Sequence, residues 1–386
     1  MKRIYLDYNA TAPLLPEALE AAMPYYRELW GNPSSIHRQG REARMAVEDA
    51  RQQVGQLIGA SNPLDLVFTS GGTEAVNLAL RGYARGHRGS GNHLITTTVE
   101  HPAVLDTCRA LQQQGFELTS VPVDGQGRVD PDAVKRSIRA QTILVSVMHG
   151  NHEVGTLQSL AELVEVAHAH GVPVHVDAVQ AVGRVEIDVE ALELDFLSLS
   201  GHKFGGPKGI GALYIRDRVA AAMQAVLHGG HQERERRAGT EDVPNIVALG
   251  KACALMRQLI ADEGKRLATL RDRLETAVLA HIPGARLLGK GSERLPNTSN
   301  ISFAGVKGEA LVFNLDLLGI AASTGASCSS RQGAPSQVLA AMGVSREESE
   351  GSVRFSMGWD TTQEEIERLG EVLPTIVERL RRLSPL

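Results

Sequence analysis

Residues 196–209 read Phe-Leu-Ser-Leu-Ser-Gly-His-Lys-Phe-Gly-Gly-Pro-Lys-Gly. An apolar run of strand length enters a polar turn that holds Lys203, and a glycine-rich segment follows. Strands that are apolar almost without interruption are typical of a parallel sheet covered on both faces. Because ligands bind beyond the carboxyl ends of such strands, the turn predicts a lysine at the binding edge of the sheet.

The same pattern extends outward from this stretch. Other apolar runs of strand length lie at 66–69, 94–97, 143–147, 174–177 and 212–215, and runs with helical spacing lie at 74–83, 102–114 and 160–170. This alternation predicts an α/β fold with a mostly parallel sheet.

Beyond about residue 245 the pattern changes to long helices and a few short strands, which predicts a second, smaller α+β domain. Its last helix carries an apolar stripe from Ile366 to Leu380, and Thr361 and Glu364 have the spacing of a capping box.

Length and composition indicate an ordinary globular protein of about two domains. The chain has 386 residues, with 40 Lys and Arg against 45 Asp and Glu, for a net charge of −5. This mild acidity gives no electrostatic reason to expect nucleic acid or an anionic membrane as a partner. No apolar stretch approaches the roughly 18 residues of a membrane span, and we see no targeting segment.

Three cysteines are too few for a disulfide framework, which favours a reducing cytoplasm with free thiols. Cys108 and Cys253 lie in helical, apolar-patterned runs and are interpreted as packing residues. Cys328 lies in a small, polar segment with glycine on both sides, where a nucleophilic role is more natural than packing.

Two residues suggest amine and acid chemistry at the sheet edge. Burial would lower the pKa of Lys203 and make it a nucleophile that forms imines, although a solvated loop lysine is the alternative, which we keep for Lys208. Asp177 closes an apolar strand and needs a cationic partner such as a pyridinium nitrogen, or else caps a nearby helix.

Two further strand ends are weaker signals. Gly71, Gly72 and Thr73 follow a strand and open a helix, so their N–H groups can cradle an anion, although a plain turn would look the same. His101 precedes a helix at Pro102 and can lie on an aromatic ligand and move protons, although a lone histidine is often structural. A zinc site at His149/His152 or His228/His231 lacks matching ligands and is not expected.

Taken together, these residues resemble the cysteine desulfurase family of NifS/IscS type, within the pyridoxal-phosphate enzymes of aspartate-aminotransferase fold. The likeness runs nearly end to end, through 5–7, 31–37, 71–74, 100–101, 177–180, 200–203 and 237–240. The surroundings of Cys328 resemble the long-loop group of the family. The resemblance implies a seven-stranded sheet in a large cofactor-binding domain, 13–258, and a small domain formed by 1–12 and 259–386.

The resemblance also implies roles for individual residues. Lys203 would hold pyridoxal 5'-phosphate covalently and later move the Cα proton, Asp177 would pair with the pyridinium nitrogen, Gln180 would bond the phenolic oxygen, and His101 would stack on the ring. His152 replaces the asparagine that the family places at the cofactor, which predicts retained binding with an altered pH dependence. The phosphate would be held by Gly72, Thr73, Ser200, His202 and, from a partner subunit of a homodimer, Thr240.

For the substrate, the resemblance implies that Arg354 binds the carboxylate of L-cysteine, that Asn32 lines the site and that Cys328 attacks the substrate sulfur. Alanine would leave, with a persulfide on Cys328 for a sulfur-acceptor protein, such as an iron–sulfur scaffold, or for thio-cofactor or thionucleoside synthesis. Three alternatives stay open: a selenocysteine lyase, another pyridoxal-phosphate lyase or aminotransferase, and a sulfur-relay protein that needs a partner.

Overall fold

The computed structural model describes residues 3–324 and 336–383. Its strands, in chain order, are β1 (Ile4–Tyr5), β2 (Leu66–Thr69), β3 (His93–Thr97), β4 (Glu117–Val121), β5 (Thr142–Met148), β6 (Val174–Asp177), β7 (Phe196–Ser200), β8 (Gly211–Ile215), β9 (Ala285–Leu288), β10 (Thr298–Phe303), β11 (Ile320–Ala321) and β12 (Ser352–Ser356). Its α-helices are α1 (Pro16–Arg27), α2 (Arg38–Leu57), α3 (Gly72–Gly86), α4 (Pro102–Gln112), α5 (Pro131–Ser137), α6 (Leu160–His168), α7 (Asp217–Ala220), α8 (Val243–His281), α9 (Gly308–Asp316), α10 (Gln337–Ala341), α11 (Arg346–Glu350) and α12 (Gln363–Leu383).

The large sheet has seven strands in the order β2-β8-β7-β6-β5-β3-β4. Strands β7, β6, β5, β3 and β4 are parallel to one another, and only β8 runs against both strands beside it. The predicted α/β fold with a mostly parallel sheet is therefore confirmed. Strand β4 was not predicted because it lies at the edge, where only Val121 of its five residues is buried and the sequence shows no apolar run.

The register of the parallel strands brings their carboxyl ends to one edge. Asp177, the last residue of β6, lies beside Ser198 of β7 and beside Met148 at the end of β5. The turn Gly201–Lys203 follows β7 directly. The predicted acid and amine therefore share one edge of the sheet, as parallel strands require.

The buried apolar side chains of the described residues form four clusters, and the two largest are separate cores that each contain part of α8. One contains one face of the large sheet and the first part of α8, up to Met256, and the other contains β10, β12, α12 and the last part of α8, from Leu267. The smaller core also buries Ile4 and Leu6 from the amino-terminal segment. Among the described helices, none is both long and apolar enough to cross a membrane.

Helix α12 packs as its stripe predicts, but the predicted cap is wrong by one residue. The Glu365 N–H donates to Thr362 Oγ1 (3.3 Å), and the Thr362 N–H donates to Glu365 Oε2 (3.2 Å). Thr361 is buried, and its Oγ1 accepts a hydrogen bond from the Gly358 N–H (3.0 Å). Thr361 therefore stabilises the turn that starts at Gly358, and Thr362 caps the amino end of α12.

A strained turn at 233–235 is fastened by a buried ion pair. Glu233, Arg234 and Glu235 have φ angles of 47°, 56° and 65°, a region that costs non-glycine residues about 1–3 kcal/mol each. The Glu233 carboxylate accepts two hydrogen bonds from Arg51 (both 2.8 Å) and one from the Phe68 N–H (2.9 Å). Both charged side chains are buried, and Glu233 is the buried anion of Arg51, whose Nε also pairs with the exposed Glu48 (3.0 Å).

We expect Glu233→Gln to lower the free energy of unfolding by up to about 3–5 kcal/mol, because it removes the buried anion of Arg51 and leaves only the exposed Glu48 as its partner. Urea unfolding followed by circular dichroism measures this loss. Glu42→Gln is the matched control on α2, the helix that carries Arg51. Glu42 pairs with the exposed Arg38, so this substitution should leave the urea midpoint unchanged. A Glu233→Gln loss below about 1 kcal/mol would contradict the expectation.

Candidate active site

A cavity of about 230 Å³ lies at the carboxyl edge of the large sheet. It is lined by the ends of β5, β6 and β7, by the segments that follow these strands and by the starts of α3 and α4. Nine residues predicted for the site line it together: Gly72, Thr73, His101, His152, Asp177, Gln180, Ser200, His202 and Lys203. Among the described residues, no group of three or more His, Cys, Asp or Glu is placed to hold a metal ion.

Lys203 is turned into the cavity and held by main-chain carbonyls. Its Nζ donates to Asn9 O (2.6 Å) and to Ala10 O (2.9 Å), both from the segment after β1. Lys208, by contrast, is exposed, as its interpretation as a loop lysine predicted. Sequence reasoning missed the two carbonyl acceptors, because any residue could supply them.

Asp177 is a buried acid that faces the cavity. Its Oδ1 accepts a hydrogen bond from the Val179 N–H (3.0 Å), and Asp177 lines the same cavity as Lys203. Burial raises the pKa of the carboxyl group, while His101 and Lys203 pull it down. A cation placed in the cavity would therefore stabilise the ionised form of Asp177.

The start of α3 offers uncapped N–H groups to the cavity. Gly71 is the N-cap residue, with a φ of 147°, and provides no side-chain hydrogen bond to the helix. A Cβ atom on Gly72 would lie 2.6 Å from Val179 Cγ2, so only glycine fits this close approach. Free N–H groups at a helix start bind anions, and Ser200 lies beside them.

His202 lies on the same wall of the cavity. Its Nδ1 is 3.1 Å from Thr11 Oγ1, and burial together with the nearby Lys203 lowers the pKa of His202 to about 4. A neutral imidazole at this position can donate or accept a hydrogen bond without adding charge.

The half-buried His101 and the buried His152 form a pair of rings. His101 Nδ1 accepts from the Ala103 N–H (3.1 Å), which leaves the ring proton on Nε2 when His101 is neutral. The two ring centres are 5.4 Å apart at 76°. Burial lowers the pKa of His101, and burial together with His101 and Arg354 lowers that of His152 well below its usual value. Nδ1 of His152 is buried and has no hydrogen-bond partner in the described part of the protein.

Glu100 joins two strand ends behind these rings. Its Oε1 accepts from Thr97 Oγ1 (2.7 Å) and from the Met148 N–H (2.8 Å), which ties the end of β3 to the end of β5. Burial raises the pKa of Glu100 to about 8. The sequence motif contained Glu100, but its place after the strand gave no sign of this cross-link.

Three predicted residues do not line the cavity. Arg354 is buried behind His152, with Nη1 donating to His152 O (2.9 Å) and Nη2 paired with Asp7 Oδ1 (2.8 Å). Asn32 is exposed, and its Oδ1 accepts from the Ser34 N–H (2.8 Å). Thr240 is also exposed.

Cys328 lies outside the described residues, but the described chain on both sides of it is anchored near the cavity. Ser323 exchanges two main-chain hydrogen bonds with Arg354 (3.2 and 2.7 Å). Ser336 Oγ donates to Glu153 Oε2 (2.6 Å), next to His152. The segment that carries Cys328 therefore starts and ends beside the candidate site.

The other two cysteines are packing residues, as predicted. Cys108 and Cys253 are buried, at 1% and 0% exposure. Burial raises the pKa of both thiols, that of Cys108 to about 12. Neither forms a thiolate at neutral pH, so neither suits nucleophilic chemistry.

Comparison with known proteins extends over the whole chain. Residues 4–369 match the aminotransferase class-V family. A cysteine desulfurase IscS from Dictyoglomus turgidum is 47% identical over 386 residues, covering 100% of this chain and 97% of the relative. A solved NifS-like protein is 35% identical with a TM-score of 0.92, covering 98% of this chain and 100% of that one. A structure of SspA in complex with cysteine is 33% identical with a TM-score of 0.83, covering 92% and 99%.

The buried, neutral His152 predicts a pH-dependent difference in stability. Below pH 6.5 an unfolded chain protonates this histidine, whereas the folded protein does not, so stability falls with pH. We expect the cofactor-free wild type to lose about 2 kcal/mol more than His152→Asn between about pH 7 and about pH 5.

Urea unfolding at the two pH values measures this difference. The exposed His228 provides the control, since His228→Asn should keep the pH dependence of the wild type. Equal losses in wild type and His152→Asn would mean that His152 is protonated in the folded protein, contrary to the expectation.

Proposed function

The chain belongs to the cysteine desulfurase family of class-V aminotransferases, and we propose that it removes the sulfur atom of L-cysteine, releases L-alanine and carries the sulfur on Cys328. The observation that carries the proposal is the joint placement of Lys203, Asp177 and His101 in one buried cavity. SspA, which this chain resembles over 92% of its length, has been solved with cysteine, and that supports cysteine as the substrate.

Pyridoxal 5'-phosphate is the cofactor of this family, and the cavity fits it. The uncapped start of α3, with Gly72 and Thr73, suits the phosphate, and Ser200 and His202 extend that wall. The buried Asp177 suits the pyridinium nitrogen, because a cation there would offset the cost of its burial. When bound, the cofactor withdraws electrons from the Cα and Cβ atoms of an amine substrate.

The chain's own groups then hold and move protons. The Lys203 amine would hold the cofactor covalently and, once released, move the proton at the substrate Cα. Gln180 would donate to the phenolic oxygen, and His101, protonated on Nε2, would lie on the ring and exchange a proton with the substrate. His152 would donate one hydrogen bond where the family has an asparagine amide.

Substrate binding rests on two residues. Arg354 would bind the carboxylate of cysteine, since a guanidinium can donate to Asp7 and to a substrate carboxylate together. Its Nε is buried and has no partner among the described residues, so this donor is not used by the described protein groups. Asn32 would line the site, as the family resemblance implies.

Sulfur transfer needs no outside oxidant. The Cys328 thiolate attacks the substrate Sγ, a new sulfur–sulfur bond forms on Cys328, and the substrate Cβ–Sγ bond breaks. Cβ takes up a proton, so cysteine and a protein thiol give alanine and a protein persulfide. The anchoring of Ser323 on Arg354 and of Ser336 on Glu153 supports this role, because both join the Cys328 segment to the site.

The wider setting follows from the same chemistry. A persulfide carrier requires a reducing compartment, so we place the protein in the cytoplasm. Its partner would be a sulfur-acceptor protein, such as an iron–sulfur scaffold, or an enzyme of thio-cofactor or thionucleoside synthesis; nucleic acid and membrane are not expected as direct partners. The two apolar cores support domains at 13–258 and at 1–12 with 259–386, the second of which contributes Cys328 and Arg354.

Cys328→Ala should remain yellow, because the cofactor is held elsewhere, and should lose cysteine desulfuration by at least about 100-fold, because the nucleophile is gone. Alanine and sulfide released from cysteine in the presence of a thiol are measured. Cys253→Ala is the control and should keep its turnover, since Cys253 is buried in α8. A Cys328→Ala enzyme that desulfurates cysteine as fast as wild type would overturn the assignment and favour a lyase or aminotransferase without a persulfide.

The exposure of Thr240, outside its own chain's cavity, supports a homodimer in which it holds the phosphate of the partner. Lys203→Ala and Thr240→Asp should each be strongly impaired, the first by loss of the amine and the second by repulsion of the phosphate. Co-expressed, the two variants form mixed dimers with one intact site, so activity should return to about a quarter of wild type. Activity equal to the mean of the two parents would contradict a shared site.

A further inference from the structure

Arg184 is a buried cation next to the site that the proposed reaction does not use. It is 7% exposed, and in the described part of the chain none of its hydrogen-bond partners is a carboxylate. Burial, together with Arg354, lowers the pKa of Arg184 to about 9, so the protein keeps this charge buried at a cost in free energy. An apolar side chain would avoid that cost.

The guanidinium instead binds oxygen atoms of three residues around the cavity. Nη1 donates to Gln180 O (3.0 Å) and to Gln180 Oε1. Nη2 donates to Tyr8 O (3.2 Å) and to Lys203 O (3.1 Å). Arg184 thus contacts both the side chain of Gln180 and the main chain of Lys203.

This contact decides which way the Gln180 amide points. A guanidinium has only donors, so the atom that faces it must be Oε1. Nε2 then points away, and it donates to Asn9 O (2.9 Å), the carbonyl that also accepts from Lys203 Nζ (2.6 Å). An amide nitrogen carries two N–H groups, so the second is left for the cavity that Gln180 lines.

The local backbone makes the contact possible. Residues 178–185 form tight turns after β6, in which the Val182 N–H donates to Ala178 O (2.9 Å) and the Arg184 N–H donates to Ala181 O (3.0 Å). Gly183 has a φ of 76°, and a Cβ there would lie 2.6 Å from Phe204 Cβ. The turn is therefore pressed against the residue that follows Lys203, and Arg184 reaches the site from there.

We propose that Arg184 is a positioning residue that locks the Gln180 amide with an N–H toward the cavity and holds the main chain at Lys203. The inference rests on the proposed function, because it assigns the phenolic oxygen of the cofactor to the Gln180 donor. Without Arg184 only the Asn9 carbonyl orients the amide, so the amide can leave this orientation and present its own oxygen, which repels the phenolic oxygen. Arg184 then acts on the cofactor without touching it.

The test is a pH titration of the visible absorbance of the cofactor-loaded protein without cysteine. A donor to the phenolic oxygen favours the form of the bound cofactor that has lost its proton. Arg184→Met and Gln180→Leu should therefore each move the midpoint up by about 0.5–1 pH unit. The double variant should move it no further than Gln180→Leu alone, and Arg184→Lys, which keeps a cation with several donors, should return it towards wild type.

Two outcomes would overturn the proposal. One is an Arg184→Met protein that binds the cofactor with the wild-type midpoint. The other is a shift that adds in the double variant, because Arg184 would then act through its charge and not through Gln180. The other titratable groups of the site are the same in all variants, namely His101, His152, Asp177, His202, Lys203 and Arg354.

A second measurement decides the matter if Arg184→Met fails to fold. Gln180→Glu keeps an oxygen facing Arg184, whereas Gln180→Leu removes it. The cofactor-free Gln180→Glu protein should therefore unfold at a higher temperature than Gln180→Leu, and the reverse order would overturn the proposal. Neither measurement uses cysteine, so a failure to release sulfur, which would sink the proposed function, leaves both results readable.

Discussion

Removal of the Asp177 carboxylate from water is the constraint on which the site depends. The parallel register of β6 and β7 places this acid within one cavity of the Lys203 amine, and burial works against its charge. The close approach of Gly72 to Val179 brings the start of α3 to the same cavity. One face of the cavity therefore suits a ligand cation and another suits a ligand anion, and a ligand that carries both charges at the right separation satisfies the two together.

Around this acid, burial drives most titratable groups to their neutral forms. It lowers the pKa values of His149 and His175 to about 4 and about 3, and it raises those of Glu100 and Glu153 to about 8 and about 7. The two sets change stability in opposite directions. Neutral histidines weaken the fold as pH falls below 6.5, whereas the stability contributed by protonated Glu100 is lost as pH rises from about 4.5 through about 8.

Sequence patterns predicted which side chains lie at the strand ends but not which groups distant in the sequence bind those side chains. Lys203, Asp177 and His101 were predictable because each follows an apolar run, and parallel strands must end at one edge. The acceptors of Lys203 were not, because Asn9 and Ala10 bind through main-chain oxygens some 190 residues away, where side-chain identity gives no signal.

The role of Arg184 could not be predicted from the sequence for a related reason. All the oxygens that its guanidinium binds, apart from Gln180 Oε1, are main-chain carbonyls, so no acidic partner appears in the sequence. Two predictions failed for local reasons. Edge strand β4 was missed because a half-exposed strand has no apolar run, and the cap of α12 was assigned to the wrong residue because two neighbouring threonines could each provide it.

Helix α8 has a mechanical consequence. It runs unbroken for 39 residues, about 58 Å at 1.5 Å per residue, and its two ends are embedded in different apolar cores. The two cores are therefore connected by one continuous helix, and neither core can unfold without unfolding the half of α8 that packs in it. The two parts of the protein should lose their structure in a single cooperative event, although each buries an apolar core of its own.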